Sequence, residues 1–203
     1  MNRLITIGCS HTFGEGLGNP NEESWPYILS KKFNKKLINL SEPGGSNRTI
    51  QHNVYNFNFD KEDIVVILWT YPDRYHFFSD KNTHSGLINP WGGEISKNWF
   101  KNFHTQYTEK FDNRTIVNQV NLYLQSINIK VYNLTVSSEF NYYFDFPTKI
   151  DYINIDFTKD FLKKYPRSID GWHMGKMGNY DFATDIYNKI TGSKDKFWTR
   201  ELI

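Results

Sequence analysis

Three residues of this 203-residue chain have the types that a nucleophilic catalyst needs, namely a serine, a histidine and a carboxylate. Ser10 lies in the glycine-flanked stretch 8–14, which directly follows the apolar run 4–7. This pattern predicts a short strand that leads into a tight turn with a hydroxyl at its tip. Far downstream, Asp170 and His173 place a carboxylate three residues before an imidazole.

A serine hydroxyl is a weak nucleophile unless a base takes its proton, and that base needs a third group that fixes its tautomer. We therefore predict that Ser10 is the nucleophile, that His173 is the base and that Asp170 orients the imidazole. The oxyanion of acyl transfer needs preorganised donors. The backbone N–H groups of Ser10 and Gly44 are candidates, since a glycine lets a substrate approach the backbone closely. Taken singly, Ser10 and Asp170 could equally cap helices, and His173 could be a surface residue.

Together, three segments of the chain resemble the sequence blocks of the SGNH (GDSL-type) hydrolases. Residues 8–14, Gly-Cys-Ser-His-Thr-Phe-Gly, are similar to the first block, with Cys9 where an aspartate is common. Residues 39–47 look like the second block, and Gly44 best fits the glycine that donates an oxyanion-hole amide. Residues 170–173 are similar to the last block, which holds the Asp and His of the triad. The resemblance implies a three-layer α/β/α fold of the flavodoxin-like type and a serine esterase.

The chain departs from the family pattern in the third block. The family usually has an asparagine after the third strand as a further oxyanion donor, and residues 68–74 hold no asparagine in register. Thr70 and Asn47 are the replacements that we predict. Loss of one oxyanion donor lowers the rate about 10²–10³-fold when nothing replaces it. A second hypothesis therefore stays open, namely a non-catalytic glycan-binding or structural module on the same fold.

Other polar residues near the predicted site have weaker patterns. We predict that His11 and Arg74 contact the substrate, although Arg74 could instead pair with Asp73. Cys9 is expected to be a small buried residue rather than the nucleophile. The six histidines lack metal-ligand spacing, so neither a metal nor an organic cofactor is expected. The glycine-rich stretch 14–18 lacks the Lys-Ser/Thr ending of a phosphate-binding loop.

Short apolar runs alternate with segments of helical length along most of the chain. The runs predict buried strands over residues 4–7, 37–40, 64–68 and 129–134. The periodic segments predict helices over residues 23–33, 49–57, 114–126 and 176–190, the last ended by Gly192. This alternation predicts an α/β fold with a central parallel sheet. Loops after the first three strands would then bring Ser10, Gly44 and Thr70 to one edge of the sheet.

Two aromatic-rich segments interrupt this alternation, over residues 72–112 and 139–166. We predict that they are loop insertions in a single domain spanning 1–203. Their rings could form a satellite core or a platform for a sugar. The predicted substrate is accordingly a small acyl ester, plausibly an O-acetyl group on a carbohydrate.

The composition limits the class of protein. The chain is 38% hydrophobic and 23% charged, which is typical of a soluble globular protein. A net charge of +2 gives no reason to expect nucleic acid or a membrane surface as a partner. The single cysteine allows no intrachain disulfide, and we find neither a signal peptide nor an apolar stretch of membrane-spanning length. We therefore expect a cytoplasmic protein, and the sequence leaves its oligomeric state open.

Overall fold

A computed structural model describes residues 3–78, 84–145 and 150–195. In chain order, the elements are β1 (Arg3–Ile7), α1 (Ser10–Phe13), α2 (Pro20–Glu23), α3 (Trp25–Lys32), β2 (Lys36–Asn39), α4 (Asn47–Tyr55), β3 (Ile64–Trp69), β4 (Tyr75–Phe78), β5 (His84–Ile88), α5 (Glu94–Asn102), α6 (Gln106–Ser126), β6 (Lys130–Thr135), β7 (Tyr152–Asp156) and α7 (Lys176–Thr191). A 3-10 helix spans Ser138–Phe144 and a π-helical segment spans Phe157–Leu162.

The centre of the fold is a five-stranded sheet in the order β2-β1-β3-β6-β7. All four pairings in this sheet are parallel. This is the strand order of flavodoxin-like sheets, in which ligands bind outside the carboxyl ends of the strands. The predicted α/β fold with a central parallel sheet is confirmed.

Each face of the sheet is covered by a pair of helices. Alternate side chains of a strand point to opposite faces, so Leu4 and Val66 pack toward α3 and α7, whereas Ile5 and Val65 pack toward α4 and α6. These four side chains are fully buried, and burial of such a side chain stabilises the fold by about 1.5–3 kcal/mol. The two cores together give the three-layer α/β/α arrangement. No helix in the described ranges is long and apolar enough to cross a membrane.

The predicted elements agree closely with the structure in the regular part of the chain. The four predicted strands correspond to β1, β2, β3 and β6. The predicted helices correspond to α3, α4, α6 and α7, although α6 begins at Gln106, earlier than expected. The last helix, α7, is followed directly by Gly192, which has a left-handed backbone conformation with φ 74° and caps the helix.

The segment 72–112 has more regular structure than its sequence indicates. It contains the antiparallel hairpin β4–β5, helix α5 and the first turns of α6. Its aromatic rings pack mainly on one another, in a cluster of Tyr75, Trp99, Phe100 and His104. This cluster forms a satellite core, which is one of the two arrangements that the sequence allows for these rings. Residues 79–83 lie outside the described residues.

The segment 139–166 is not only a loop. Residues 152–156 form β7, which adds the fifth strand to the sheet beside β6. Tyr143 and Phe144 are buried in the core on the α4–α6 side. Residues 146–149, including Phe146, lie outside the described part of the chain.

Candidate active site

Ser10 lies at the first turn after β1, the strand between β2 and β3 in the sheet. The N-cap position of the short helix α1 is Cys9, whose carbonyl oxygen accepts hydrogen bonds from the N–H groups of Thr12 and Phe13. The Ser10 hydroxyl is therefore not used as a helix cap. Ser10 itself is only 5% exposed, and Cys9 is fully buried. The fold thus presents the hydroxyl from a rigid element at the carboxyl edge of the sheet.

His173 connects the Ser10 hydroxyl to the Asp170 carboxylate. Its Nε2 lies 2.9 Å from the Ser10 Oγ, and its Nδ1 lies 2.6 Å from the Asp170 Oδ2. Both distances are within hydrogen-bond range. Ser10 and His173, which are separated by 163 positions in the chain, are thus joined with Asp170 in one line of hydrogen bonds.

The Asp170 carboxylate is held by a dense set of donors. Its Oδ1 accepts hydrogen bonds from the N–H groups of Trp172 and His173, at 2.8 and 3.0 Å, and from the Ser168 hydroxyl at 2.7 Å. Desolvation raises the pKa of Asp170, but the hydrogen bonds from His173, Trp172 and Ser168 outweigh it and hold the pKa well below its usual range. The group that faces the imidazole is therefore a carboxylate rather than a carboxylic acid.

The loop after α1 also touches this site, in a way that the sequence analysis missed. The Glu15 Oε2 lies 3.7 Å from the Nε2 of His173. The next residue, Gly16, has φ +80°, and a Cβ atom there would lie 2.5 Å from the Asp170 Oδ2 and 2.4 Å from the Ser168 Oγ. The Gly16 carbonyl accepts a hydrogen bond from the Ile169 N–H at 3.1 Å. The glycine-rich stretch 14–18 is thus packed against the loop that carries Asp170.

A tight turn that contains Gly44 packs against the start of α1. The Gly45 N–H donates to the Glu42 carbonyl, and Gly44 has φ +71° directly after Pro43, which is the pattern of a type II turn. The turn lies against the start of α1, because a Cβ atom on Gly45 would be 3.6 Å from the Cys9 Cα. Within residues 3–78, 84–145 and 150–195, the N–H groups of Ser10 and Gly44 have no hydrogen-bond acceptor.

Asn47 and Thr70 are close to each other, but Asn47 is already engaged. Its Oδ1 accepts from the Thr70 N–H at 2.9 Å, and its Nδ2 donates to the Asn113 Oδ1 at 2.7 Å and to the Thr70 carbonyl at 3.4 Å. Both hydrogens of Nδ2 are used in this way, so the prediction of Asn47 as an oxyanion donor is corrected. The Thr70 Oγ1 is buried and has no partner among the described residues.

His11 is packed between two aromatic rings. Its centroid lies 4.9 Å from the ring of Phe157 and 4.9 Å from the ring of His173. Burial, and to a lesser extent the charges of His173 and Arg74, lower the pKa of His11 to about 3. His11 is therefore a neutral residue that packs against the His173 imidazole. Among the described residues, no group of three or more His, Cys, Asp or Glu side chains is arranged to hold a metal ion.

Arg74 lies between two aromatic side chains instead of pairing with Asp73. Its guanidinium carbon is 5.0 Å from the ring centroid of Tyr71 and 5.5 Å from that of Trp91. The ion pairs formed within the described ranges do not include one between Arg74 and Asp73. The alternative interpretation of Arg74 as the ion-pair partner of Asp73 is therefore wrong.

Comparison with known proteins relates this chain to ester hydrolases by fold. No protein-family model matches the sequence, and no curated protein matches it either. Among solved structures, a carbohydrate esterase whose active site displays divergent catalytic and non-catalytic binding functions has a TM-score of 0.61 at 12% identity, covering 95% of this chain and 69% of its own. A lipase from a goat rumen metagenome has a TM-score of 0.58 at 14% identity, covering 93% of this chain and 97% of its own.

A third similar structure is a psychrotrophic esterase from Pseudoalteromonas sp. that is inhibited by monoethylphosphonate. Its TM-score is 0.52 at 14% identity, and the match covers 95% of this chain and 98% of that one. At such low identity the similarity concerns the fold. The chain has the three-layer α/β/α fold of these esterases and this lipase, which is the fold that the resemblance of its sequence blocks to the SGNH/GDSL hydrolases implied.

Proposed function

We propose that this protein is a serine ester hydrolase that acts through an acyl-enzyme intermediate. One observation carries the proposal, namely the unbroken hydrogen-bond line from the Ser10 Oγ through His173 to Asp170, at 2.9 and 2.6 Å. A nucleophile, a base and an orienting carboxylate in this order are what acyl transfer requires. The esterases and the lipase of similar fold agree with this reaction class.

In the proposed acylation step, the Ser10 Oγ attacks the acyl carbon of the ester. His173 Nε2 takes the hydroxyl proton as the new C–O bond forms, and Asp170 stabilises the imidazolium that results. The N–H groups of Ser10 and Gly44 donate to the oxyanion, since the turn that holds Gly44 packs against the start of α1 and neither N–H has an acceptor within the described ranges. Collapse of the tetrahedral intermediate breaks the ester C–O bond, and His173 returns the proton to the leaving alcohol.

Deacylation repeats the same steps with water. His173 takes a proton from a water molecule, the resulting hydroxide attacks the acyl carbon, and the bond to the Ser10 Oγ breaks as the proton returns to it. The products are a carboxylic acid and an alcohol. Apart from the ester and water, every group in this scheme is a side chain or a backbone N–H of the protein.

For the substrate, we propose a small acyl ester such as an O-acetyl group on a carbohydrate. Two exposed aromatic rings lie beside the site. Trp172, next to His173, is 79% exposed, and Trp91, against Arg74, is 64% exposed. Flat apolar rings on the surface provide contact area for the apolar face of a sugar. One of the structures of similar fold is a carbohydrate esterase.

A second candidate function, a non-catalytic glycan-binding or structural module, is favoured by one observation. The place of the family's third oxyanion donor holds Thr70, whose hydroxyl is buried, and the nearby Asn47 amide is engaged with Asn113. A site with only two backbone donors would be slower by about 10²–10³-fold. The two functions differ in whether the Ser10 hydroxyl is reactive, and that difference is measurable.

The test is covalent labelling combined with turnover. We expect a fluorophosphonate probe to label the wild-type protein and the control Ser126→Ala, whose serine is exposed at the end of α6. We expect Ser10→Ala to lose both labelling and hydrolysis of p-nitrophenyl acetate and acetylated sugars, with an unchanged circular dichroism spectrum. Labelling that persists in Ser10→Ala, or a wild-type protein that neither labels nor turns over any ester, would support the non-catalytic module instead.

A further inference from the structure

Arg74 has donors that the protein leaves unused. Its Nε and Nη1 are buried, and neither has a hydrogen-bond acceptor among residues 3–78, 84–145 and 150–195. The guanidinium is fixed by its contacts with the rings of Tyr71 and Trp91. A buried donor without a partner costs free energy comparable to a lost hydrogen bond. An arginine that is held rigidly with open donors is suited to a ligand with matching acceptors.

A cavity of about 310 Å³ lies beside this arginine. Its walls come from the start of α4, from the loop between β3 and β4, and from the middle of α6. They include the side chains of Arg48, Gln51, Arg74, Tyr75 and Asp112. The Tyr75 hydroxyl is buried and also lacks a partner in the described part of the chain. The volume is at the lower end of the range for small-molecule sites.

The cavity is related to the candidate active site through Arg74 and Asn113, two residues of its lining. Arg74 follows β3, so it belongs to the same carboxyl edge of the sheet as Ser10. Its charge acts on His11, whose ring lies 4.9 Å from that of His173. The cavity floor includes Asn113, which is bonded to Asn47 next to the Gly44 turn. A substrate at the Ser10 hydroxyl can therefore extend toward this cavity.

We propose that the cavity is a subsite for a carboxylate group carried by the ester substrate, with Arg74 as its main ligand and Arg48 as a second positive charge. The proposal rests on the esterase function proposed above and adds the charge of the substrate to it. A guanidinium presents paired N–H donors that match the two oxygens of a carboxylate.

The charges around the cavity favour a singly charged anion over a phosphate. Two guanidinium groups and one carboxyl group, that of Asp112, line it, so its charge is at most one positive unit when Asp112 is ionised. Asp73, adjacent to Arg74, adds a second nearby carboxyl group whose Oδ1 is buried without a partner among the described residues. Burial raises the pKa of Asp73 and so disfavours its charged form. With Asp73 neutral, a carboxylate matches the single positive unit of the lining, whereas a phosphate dianion exceeds it.

Paired ester substrates test this inference on the full chain. For a carboxylate on the alcohol part, 4-acetoxybenzoate is compared with 4-acetoxybenzamide and with 4-acetoxyphenyl phosphate. For a carboxylate on the acyl part, mono-4-nitrophenyl glutarate is compared with 4-nitrophenyl pentanoate. We expect the wild-type kcat/KM to favour the carboxylate member of at least one pair by about 10-fold to 100-fold, as a charged hydrogen bond provides.

The variants test whether Arg74 causes the preference. We expect Arg74→Gln to bring the ratio within each pair close to one, and Arg74→Lys to keep an intermediate ratio. Lys97→Gln, which removes an exposed positive charge on α5, should leave the ratio unchanged. If Arg74→Gln does not fold, Arg48→Gln serves instead, with an expected loss of about threefold in the ratio.

A binding measurement separates this inference from the esterase proposal. Calorimetric titration of wild type, Ser10→Ala and Arg74→Gln with 4-hydroxybenzoate and 4-hydroxybenzamide needs no turnover. A carboxylate preference in either assay that Arg74→Gln abolishes supports the subsite, even if no ester is hydrolysed. A preference in neither assay, a preference that Arg74→Gln leaves intact, or a stronger preference for the phosphate overturns the subsite, even if esters are hydrolysed readily.

Discussion

Both ring nitrogens of His173 are bonded, and the two partners determine the tautomer of the ring. Asp170 is held as a carboxylate by its donors, so it accepts the proton of Nδ1. Nε2 is then left as the acceptor that faces the Ser10 hydroxyl at 2.9 Å. In the proposed mechanism, the hydrogen bonds of His173 thus set the direction of proton transfer before a substrate binds.

The substitution Gly16→Ala, which adds one methyl group, tests whether Gly16 leaves room for the Asp170 carboxylate. A Cβ atom at Gly16 would lie 2.5 Å from the Asp170 Oδ2, so we expect Gly16→Ala to displace the carboxylate from His173. Misplacement of an orienting group by about 1 Å can reduce the rate by about 10²-fold. The measurement is kcat on p-nitrophenyl acetate, with fluorophosphonate labelling as a second readout.

Gly171 provides a matched control for this substitution. It also has a left-handed backbone, with φ +73°, but an added Cβ would meet nothing within 4 Å. Gly171→Ala therefore carries the same backbone strain, roughly 1–2 kcal/mol, without the contact. If Gly16→Ala and Gly171→Ala lower kcat equally, the loss comes from strain, and Gly16 does not position Asp170.

At the residue scale, the sequence indicates which side chains could react but not how the loop after α1 packs against the loop that carries Asp170. Ser10, Asp170 and His173 were predicted from residue type, spacing and family resemblance, and the structure brings them within hydrogen-bond distance. Glu15 and Gly16 could not be assigned in this way. Their contacts with the loop that carries Asp170 depend on how two distant segments dock, and no local pattern records that.

At the scale of elements, a buried polar network ties the loop after β3 to two helices. Asn47 on α4 bonds the backbone of Thr70, and Asn113 on α6 bonds Asn47 and the Pro72 carbonyl. The Tyr143 hydroxyl donates to the Thr70 carbonyl at 3.1 Å. Buried hydrogen bonds of this kind favour one arrangement of the elements that they join. The loop after β3 is therefore held by α4, by α6 and by the 3-10 segment that carries Tyr143.

Substitution of Asn47 tests whether the residue is structural. Asn47→Ala removes the partners of the buried Thr70 N–H and the Asn113 Oδ1. Each orphaned group costs about 1–3 kcal/mol, so we expect the free energy of unfolding to fall by roughly 2–5 kcal/mol. Urea denaturation measures it, and Asn98→Ala, on an exposed position of α5, is the control. A variant of unchanged stability whose kcat falls about 10²–10³-fold would instead make Asn47 an oxyanion donor.

The elements that the sequence analysis missed share a physical cause. Continuous apolar runs identify strands that are buried on both faces, and β3 is such a strand, with five of its six residues buried. The edge strand β7, Tyr-Ile-Asn-Ile-Asp, has one buried residue and alternates with polar side chains. The hairpin β4–β5 and helix α5 are short and are stabilised by the aromatic cluster rather than by the main core. Tertiary contacts, not local periodicity, decide such elements.

At the scale of the whole molecule, His11 belongs both to the candidate site and to the packing that stabilises the fold. His11 is 8% exposed and packs on both Phe157 of the core and His173 of the site. Its pKa is about 3 in the folded protein and returns to about 6.5 when the chain unfolds. Between about pH 3 and pH 6.5, the unfolded chain therefore binds a proton at His11 that the folded protein does not bind. Acid consequently favours unfolding through the residue that supports the catalytic imidazole.

The sign of this effect gives a definite pH dependence. The stabilisation from neutral His11 is complete above pH 6.5 and is lost as the pH falls toward 3. Asp170 affects stability in a lower pH range. Because its pKa is lowered in the folded protein, its contribution to the unfolding free energy is lost only as the pH falls below the ordinary value of 3.8. Between pH 7.5 and 4.5, we therefore expect wild type to lose about 2–3 kcal/mol more unfolding free energy than His11→Asn.

Urea denaturation at several pH values from 7.5 to 4.5 measures this difference directly. Contributions from other carboxyl groups, such as Asp73 with its raised pKa, occur in both proteins and cancel in the comparison. His104→Gln makes a similar change at a histidine in the aromatic cluster and should retain the acid sensitivity of the wild type. Equal pH dependence in wild type and His11→Asn would mean that His11 can be protonated in the folded state. In that case the His11 ring would carry a positive charge beside His173, and His11 would not be the neutral residue that its burial indicates.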